Sequence, residues 1–295
     1  MYSVLPTYLI DEEGYQYYFG IYPPYVNAGA IRNKGIEFTL NTVNISNKDW
    51  QWRTGATISF NRNKLTKLNS EDSSLQGRIG SDTYTLSEVG GPVGRFYGYN
   101  VIGMFNKEDD FYQKDPNGDR MIDKNGNFVP VARPVDSDGN MYDIKQNGIW
   151  VGDYIYEDVD GDGKITESDR KYIGDPNPKF TFGLNNTITY KDFELSFFLS
   201  GSYGNDVYNV LRQTKTDPKG WGNKMAYVAN CAKIEMYDPE GSLSDISNVY
   251  ISNAGSASCW RIEPSGGGQN TNNRISSAFV ENGSYIRLKS LSLAW

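Results

Sequence analysis

The sequence predicts an all-β protein, an antiparallel barrel portion whose strands are long enough to cross a bilayer and whose connections include very long loops. Three observations carry this reading. Apolar and polar residues alternate over runs of roughly 9–12 residues, the length a tilted strand needs to span a membrane. Short turns alternate with connections far longer than compact domains use. The 295 residues include 22 Tyr, 13 Phe, 6 Trp and 31 Gly but are only 38% hydrophobic, a balance that favours strands and turns over helices.

The elements follow in order. In "NKGIEFTLNTVNI", Ile36, Phe38 and Leu40 face one way and Glu37, Thr39 and Asn41 the other, which predicts a strand over 36–45. "SNKD" (46–49) reads as a turn. "WQWRTGATISFNRN" then predicts a strand over 50–61, with Trp50, Trp52, Ala56, Ile58 and Phe60 on one face and Gln51, Arg53, Thr57, Ser59 and Asn61 on the other. A long connection over 62–178 leads to "KFTFGLNNTITY", a strand over 179–190. Phe180, Phe182, Leu184, Ile188 and Tyr190 share its apolar face, with Asn186 the exception. "KD" (191–192) is a tight turn, and "FELSFFLSGSYG" returns over 193–201 with Phe193, Leu195, Phe197 and Leu199 aligned. A second long connection, 202–284, precedes the last candidate strand, "SYIRLKSLSLAW". Short turns on one side with long loops on the other is the layout of outer-membrane barrels. Aromatics beside the turns (Trp50, Trp52, Tyr190, Phe193) fit an interfacial girdle. The same alternation also fits a soluble sheet with one buried and one wet face.

Composition narrows the function. A formal charge of −7 argues against a nucleic-acid backbone as partner. The absence of histidine removes the commonest general base and zinc ligand. Two cysteines, Cys231 and Cys259, fall in one loop-like region. A bridge there would close a loop of about 30 residues and contribute about 3–4 kcal/mol in the chain-entropy model. No apolar run of about 18 residues encodes a membrane helix. The start, "MYSVLPTYLIDEEGY", lacks the pattern of a signal peptide. In the second connection Trp221 and Trp260 are expected either to pack the loop or to stack on a ligand, with packing favoured.

The most chemically loaded stretch is "DVDGDGKITESD" (158–169). A calcium loop places oxygen ligands at positions 1, 3, 5, 7, 9 and 12 around a glycine at 6. Here these are Asp158, Asp160, Asp162, the Lys164 carbonyl, Thr166 through water, and Asp169, with Gly163 at the bend and Ile165 as the apolar pin. Asp169 stands where glutamate is standard, which weakens the expected site, and no helix pattern flanks it. The bland alternative is a solvated acidic turn. "DPNGDRMIDKNG" (115–126) and "DSDGNMYD" (136–143) are weaker echoes, read as acidic turns. The carboxylates are spaced for one cation rather than for two faces of a sugar ring, so no catalytic site is expected.

"NKGIEFTL" (33–40), "GPVGRFYGYNVIGMF" (91–105), the long block from "GDYIYEDVDGDGKITESD" through "IGDPNPKFTFG" to "GSYGNDVYN" (152–209), and "NGSYIRLKSLSL" (282–293) occur in this order. Together they resemble the C-terminal barrel region of the SusC/RagA family of TonB-dependent outer-membrane transporters. The resemblance implies a many-stranded barrel, a plug domain that this sequence lacks, energy from the TonB system and a SusD-type surface lipoprotein over the barrel mouth. It implies oligosaccharide or peptide fragments as cargo, and membrane lipid around the strands. It also places the calcium loop on the extracellular side, as a structural staple, and implies that 1–295 is a C-terminal portion with further barrel expected. Two other readings stay open: a secreted β-rich glycan-binding or adhesion module with a calcium-stapled loop, and, more remotely, an enzyme.

Overall fold

The alternating runs form one five-stranded antiparallel sheet: β1 (Gly29–Ser46), β2 (Trp50–Leu68), β3 (Phe180–Tyr190), β4 (Phe193–Tyr203) and β5 (Tyr285–Ala294). Neighbours in sequence are neighbours in space, an up-and-down meander. The computed structural model describes residues 8–10, 16–18, 29–68, 74–216, 222–263 and 270–295. The opening sequence is therefore largely outside the described residues, as is Trp221.

Register makes the apolar face continuous. Ile36 pairs with Phe60 and Phe38 with Ile58; Ile58 pairs in turn with Phe182. Leu184 pairs with Leu199, and Leu199 with Leu288. This face is uncovered: Ile36, Phe38 and Leu40 are 60–62% exposed and Leu293 is 74% exposed. Water does not tolerate an apolar surface that large, whereas lipid does. An uncovered apolar face of this kind fits a sheet that crosses a membrane; in a soluble sheet it has to be buried.

Both predicted turns are present. Asn47 holds the first, its Oδ1 accepting from the amides of Asp49 (3.1 Å) and Trp50 (2.8 Å). The second is Lys191–Asp192, with Lys191 at φ 52°. The Lys191 amide donates to the Asp49 carbonyl (2.8 Å), and the Trp50 and Tyr190 rings meet at 4.4 Å, so both turns lie at one end of the sheet.

The strand bounds need correction. β2 runs on to Leu68 rather than ending at 61, and β1 begins at Gly29 rather than 36, the two pairing up to Gly29–Leu68. β4 likewise ends at Tyr203. The alternation continues in the β1 and β2 extensions, but Arg32, Lys34, Arg62 and Lys64 stand at outward positions there, so an apolar pattern does not reveal them.

The two long connections, 69–179 and 204–284, both leave the end opposite the turns, and their described residues fold together into a cap rather than forming separate loops. A four-stranded sheet in the order Lys171–Gly174, Arg95–Gly98, Asp82–Glu88, Ser74–Ile79 forms one part. The main core joins Phe105, Phe111, Ile149, Trp150 and Val151 of the first connection to Ala232, Val249 and Ile251 of the second. Phe105 and Phe111 stack at 4.1 Å. Gly152, at φ +89°, sits where a Cβ would come within 2.8 Å of the Arg261 Cβ, so the crossing of the two connections admits only glycine there.

Candidate functional site: the cap and its acidic loop

The acidic loop belongs to the cap. Ile165 anchors it, only 2% exposed, in a cluster with Tyr99, Ala132 and Tyr156. Lys164–Ile165 pairs in parallel with Arg133–Pro134, and Lys164 Nζ donates to the Gly139 carbonyl at 2.7 Å. The expected apolar pin is therefore in place.

The first three aspartates converge. Carboxylate oxygens of Asp158, Asp160 and Asp162 lie within 4.8 Å of one another. Backbone amides hold them there. Asp158 accepts from Gly161 (2.8 Å) and Gly163 (2.9 Å), Asp160 from Asp162 (3.2 Å), and Asp162 from Lys164 (2.8 Å). Gly163 takes φ +82°, the bend such a loop requires.

Asp169 is not in this group. Its carboxylate is fully buried, and its two oxygens accept from the amides of Val159 (2.8 Å) and Thr166 (2.7 Å). Thr166 turns its hydroxyl to the Ser168 amide (3.2 Å), completing a capping box on the short 3-10 helix Glu167–Asp169. In this structure both residues close the loop from behind. The donor set that fits a hard cation is therefore the three-aspartate group, with the Lys164 backbone next in the chain. Glu167 ties the loop to the rest of the cap, accepting from the Tyr99 hydroxyl (3.0 Å) and from Arg170 (3.0 Å). Burial pushes the Tyr99 hydroxyl up to about 12, so it remains a donor.

The echoes are turns of one construction. In Asp115–Asp119, Asp123–Asn127 and Asp136–Asn140, Oδ1 of the first aspartate accepts from the amides two and four residues on, at 2.8–3.0 Å. Each carries a glycine at positive φ, Gly118, Gly126 and Gly139. The amide of Asp119, and that of Asn127, hold Asp115 and Asp123 below the usual carboxylate range.

Trp260 is 1% exposed and packs with Phe279, Cys231 and Cys259, so it is a core residue of the cap rather than a ligand platform. The two thiols are buried together but unbridged, and burial pushes Cys259 up to about 11. Periodicity missed Asp153 and Arg261, the buried pair that locks the two connections (2.8 Å), because neither belongs to a local pattern.

A meander with an uncovered apolar band, tight turns at one end and a folded cap at the other defines a portion of an outer-membrane β-barrel. No protein-family model matches the chain. It is 28% identical over 282 residues to TonB-dependent receptor P3 of Formosa agariphila, covering 94% of this chain and 23% of that protein. It is 26% identical over 242 residues to TonB-dependent receptor SusC of Bacteroides thetaiotaomicron, covering 80% of this chain and 20% of that protein. Among solved structures it is similar to the RagAB peptide transporter, with a TM-score of 0.55 at 20% identity, over 93% of this chain and 24% of that one. The chain is a homologue of TonB-dependent receptors, SusC among them, and it spans between a fifth and a quarter of their length. These relatives are receptors and a transporter by name.

Proposed function

We propose that this chain forms barrel wall and outward cap in an outer-membrane, TonB-dependent importer of oligosaccharide or peptide fragments. It works with a SusD-type lipoprotein that lands on the cap and draws energy from the TonB system through a plug region. One observation carries the reading: the outer face of the sheet is an exposed apolar band, and both long connections fold into a single cap at one end of it. The opposite face of the sheet presents Thr39, Thr57, Ser59, Asn185, Thr187 and Ser196 beside the charged Glu37 and Arg53, hydrogen-bonding groups suited to a polar lumen.

Calcium is held by Asp158, Asp160 and Asp162, with the Lys164 carbonyl and water completing the shell. Its role is to fix the shape of the cap where a partner lands. The converging carboxylates support this, since three like charges held together by backbone amides are stabilised by a cation between them.

The test is purification from the native host. The protein should enter the membrane fraction, dissolve only in detergent and bring a lipoprotein with it, and uptake of the cargo should stop when the proton gradient is collapsed. Recovery from the soluble fraction without detergent would overturn the reading and favour a secreted module.

A further inference from the structure

Beyond the apolar band, β1 and β2 continue toward the cap, and the next directly opposed residues on the outward face are all cations. Lys34 lies opposite Arg62, and Arg32 opposite Lys64. All four are exposed. Residues so placed stand roughly 5 Å apart at Cβ, where like charges repel. None of the four forms an ion pair with a described residue. Arg62 donates Nη1 to the Lys179 carbonyl (3.0 Å) and lines a cleft of about 740 Å³ with Lys179 and Tyr203. Asp175 and Asp206 share that cleft but are turned to other partners. Asp206 accepts from the Asp175 amide (2.8 Å), and Asp175 from the Asn177 amide (2.9 Å).

The height of this cluster in the membrane follows from the strand. Trp50 to Phe60 covers about 33 Å along β2, or roughly 25 Å of height at a tilt near 40°, which matches the apolar band of an outer-membrane barrel. Aromatic rings mark both limits. Trp50 meets Tyr190 at the turn end; at the cap end Phe180 lies 5.8 Å from Phe60 and 5.2 Å from Tyr203. The cations begin one outward position above the upper ring, at headgroup level. The turn end carries mixed charge instead, Lys48, Asp49, Lys191 and Asp192.

We propose that Arg32, Lys34, Arg62 and Lys64 bind the phosphate groups of lipids in the leaflet on the cap side. A phosphate between the opposed pairs accepts from guanidinium forks and ammonium groups at once and removes the repulsion. Single cations also reach to interfaces unaided; the directly opposed arrangement, with none of the four paired to a described carboxylate, is what points to a bound anion. The site rests on the bilayer-crossing reading above.

The test uses protein purified from native outer membranes in mild detergent, titrated with monophosphoryl lipid A, the same lipid after dephosphorylation, and inorganic phosphate, with adducts read by native mass spectrometry. The phosphorylated lipid should be retained. The double variant Lys34→Gln/Arg62→Gln should weaken its retention at least about tenfold, while Lys34→Arg preserves it and Lys124→Gln, in an exposed cap turn, leaves it unchanged. Equal retention of the dephosphorylated lipid, no effect of the double variant, or displacement by equimolar inorganic phosphate would each overturn the site. Membrane recovery of the same preparations reports separately on the bilayer-crossing reading.

Discussion

Arg261 grips Asp153 as a fork, Nε to Oδ1 at 2.8 Å and Nη2 to Oδ2 at 3.1 Å, and so ties the second long connection to the first where neither side chain sees solvent. The remaining groups are satisfied. Asp153 also accepts from the Trp150 amide (2.8 Å) and from Asn272 (2.9 Å), and Arg261 donates to the Gln146 carbonyl (2.9 Å). Removing one partner strands a buried charge. Asp153→Ala should cost the cap about 3–5 kcal/mol, while replacing both residues by apolar ones of similar volume should cost much less. Hydrogen exchange of the cap amides against those of the sheet checks this; equal loss from the single and double variants would contradict it.

Asp160 and Asp169 should behave differently. Asp160 is exposed and accepts only a weak amide bond, so Asp160→Ala should loosen the acidic loop when calcium is present and change little after chelation. Asp169→Ala orphans two amides and should destabilise the loop by about 1–3 kcal/mol with or without metal. Calorimetry of both variants with and without chelator distinguishes them. A wild-type protein indifferent to chelator would favour a metal-free turn.

Asn186 interrupts the apolar face of β3 yet is only 6% exposed. Its Oδ1 accepts from Trp52 Nε1 (2.9 Å) and the Thr54 hydroxyl (2.7 Å). In lipid those donors have no water to turn to, so Asn186→Ala should cost about 1–3 kcal/mol. Urea unfolding in lipid vesicles measures it; a neutral result would mean the network lies at the wet interface.

The sequence shows most clearly what the bilayer enforces. Ile36 to Phe60 and Phe180 to Leu199 must alternate to keep lipid on one side, so both hairpins and their turns could be read directly. The extensions Gly29–Gly35 and Arg62–Leu68 were hidden because Arg32, Lys34, Arg62 and Lys64 reverse the polarity of the outward face above the band. The cap was hidden for another reason. Trp150 packs on Val249 and Ile251 across about a hundred residues, and no local period records such contacts. In the acidic loop, alternate spacing revealed Asp158, Asp160 and Asp162. The role of Asp169 was written in Thr166-Glu167-Ser168-Asp169, a capping-box pattern overshadowed by the calcium spacing.

Asp109 offers a pH test. Hydrogen bonds from Lys114 (2.7 Å) and Arg120 (2.8 Å) lower its carboxyl from 3.8 to about 2. Because the folded value lies below the unfolded one, the stabilisation is complete above pH 3.8 and is lost as pH falls toward 2. The pair is partly exposed, so the effect is about 1 kcal/mol or less. Hydrogen exchange at Gln113 and Met121 should rise over that window, and Asp109→Asn should remove the pH dependence.

The account turns on the cap facing outward from a barrel that crosses the membrane. The native thiols are buried, so single cysteines at Asp138 in a cap turn and at Lys48 in a tight turn can be labelled against little background. An impermeant maleimide added to intact cells should label Asp138→Cys at once, and Lys48→Cys only after the outer membrane is opened. Labelling of Lys48→Cys alone on intact cells would contradict the account by reversing the orientation, and equal labelling of both in a detergent-free soluble fraction would contradict it by removing the membrane.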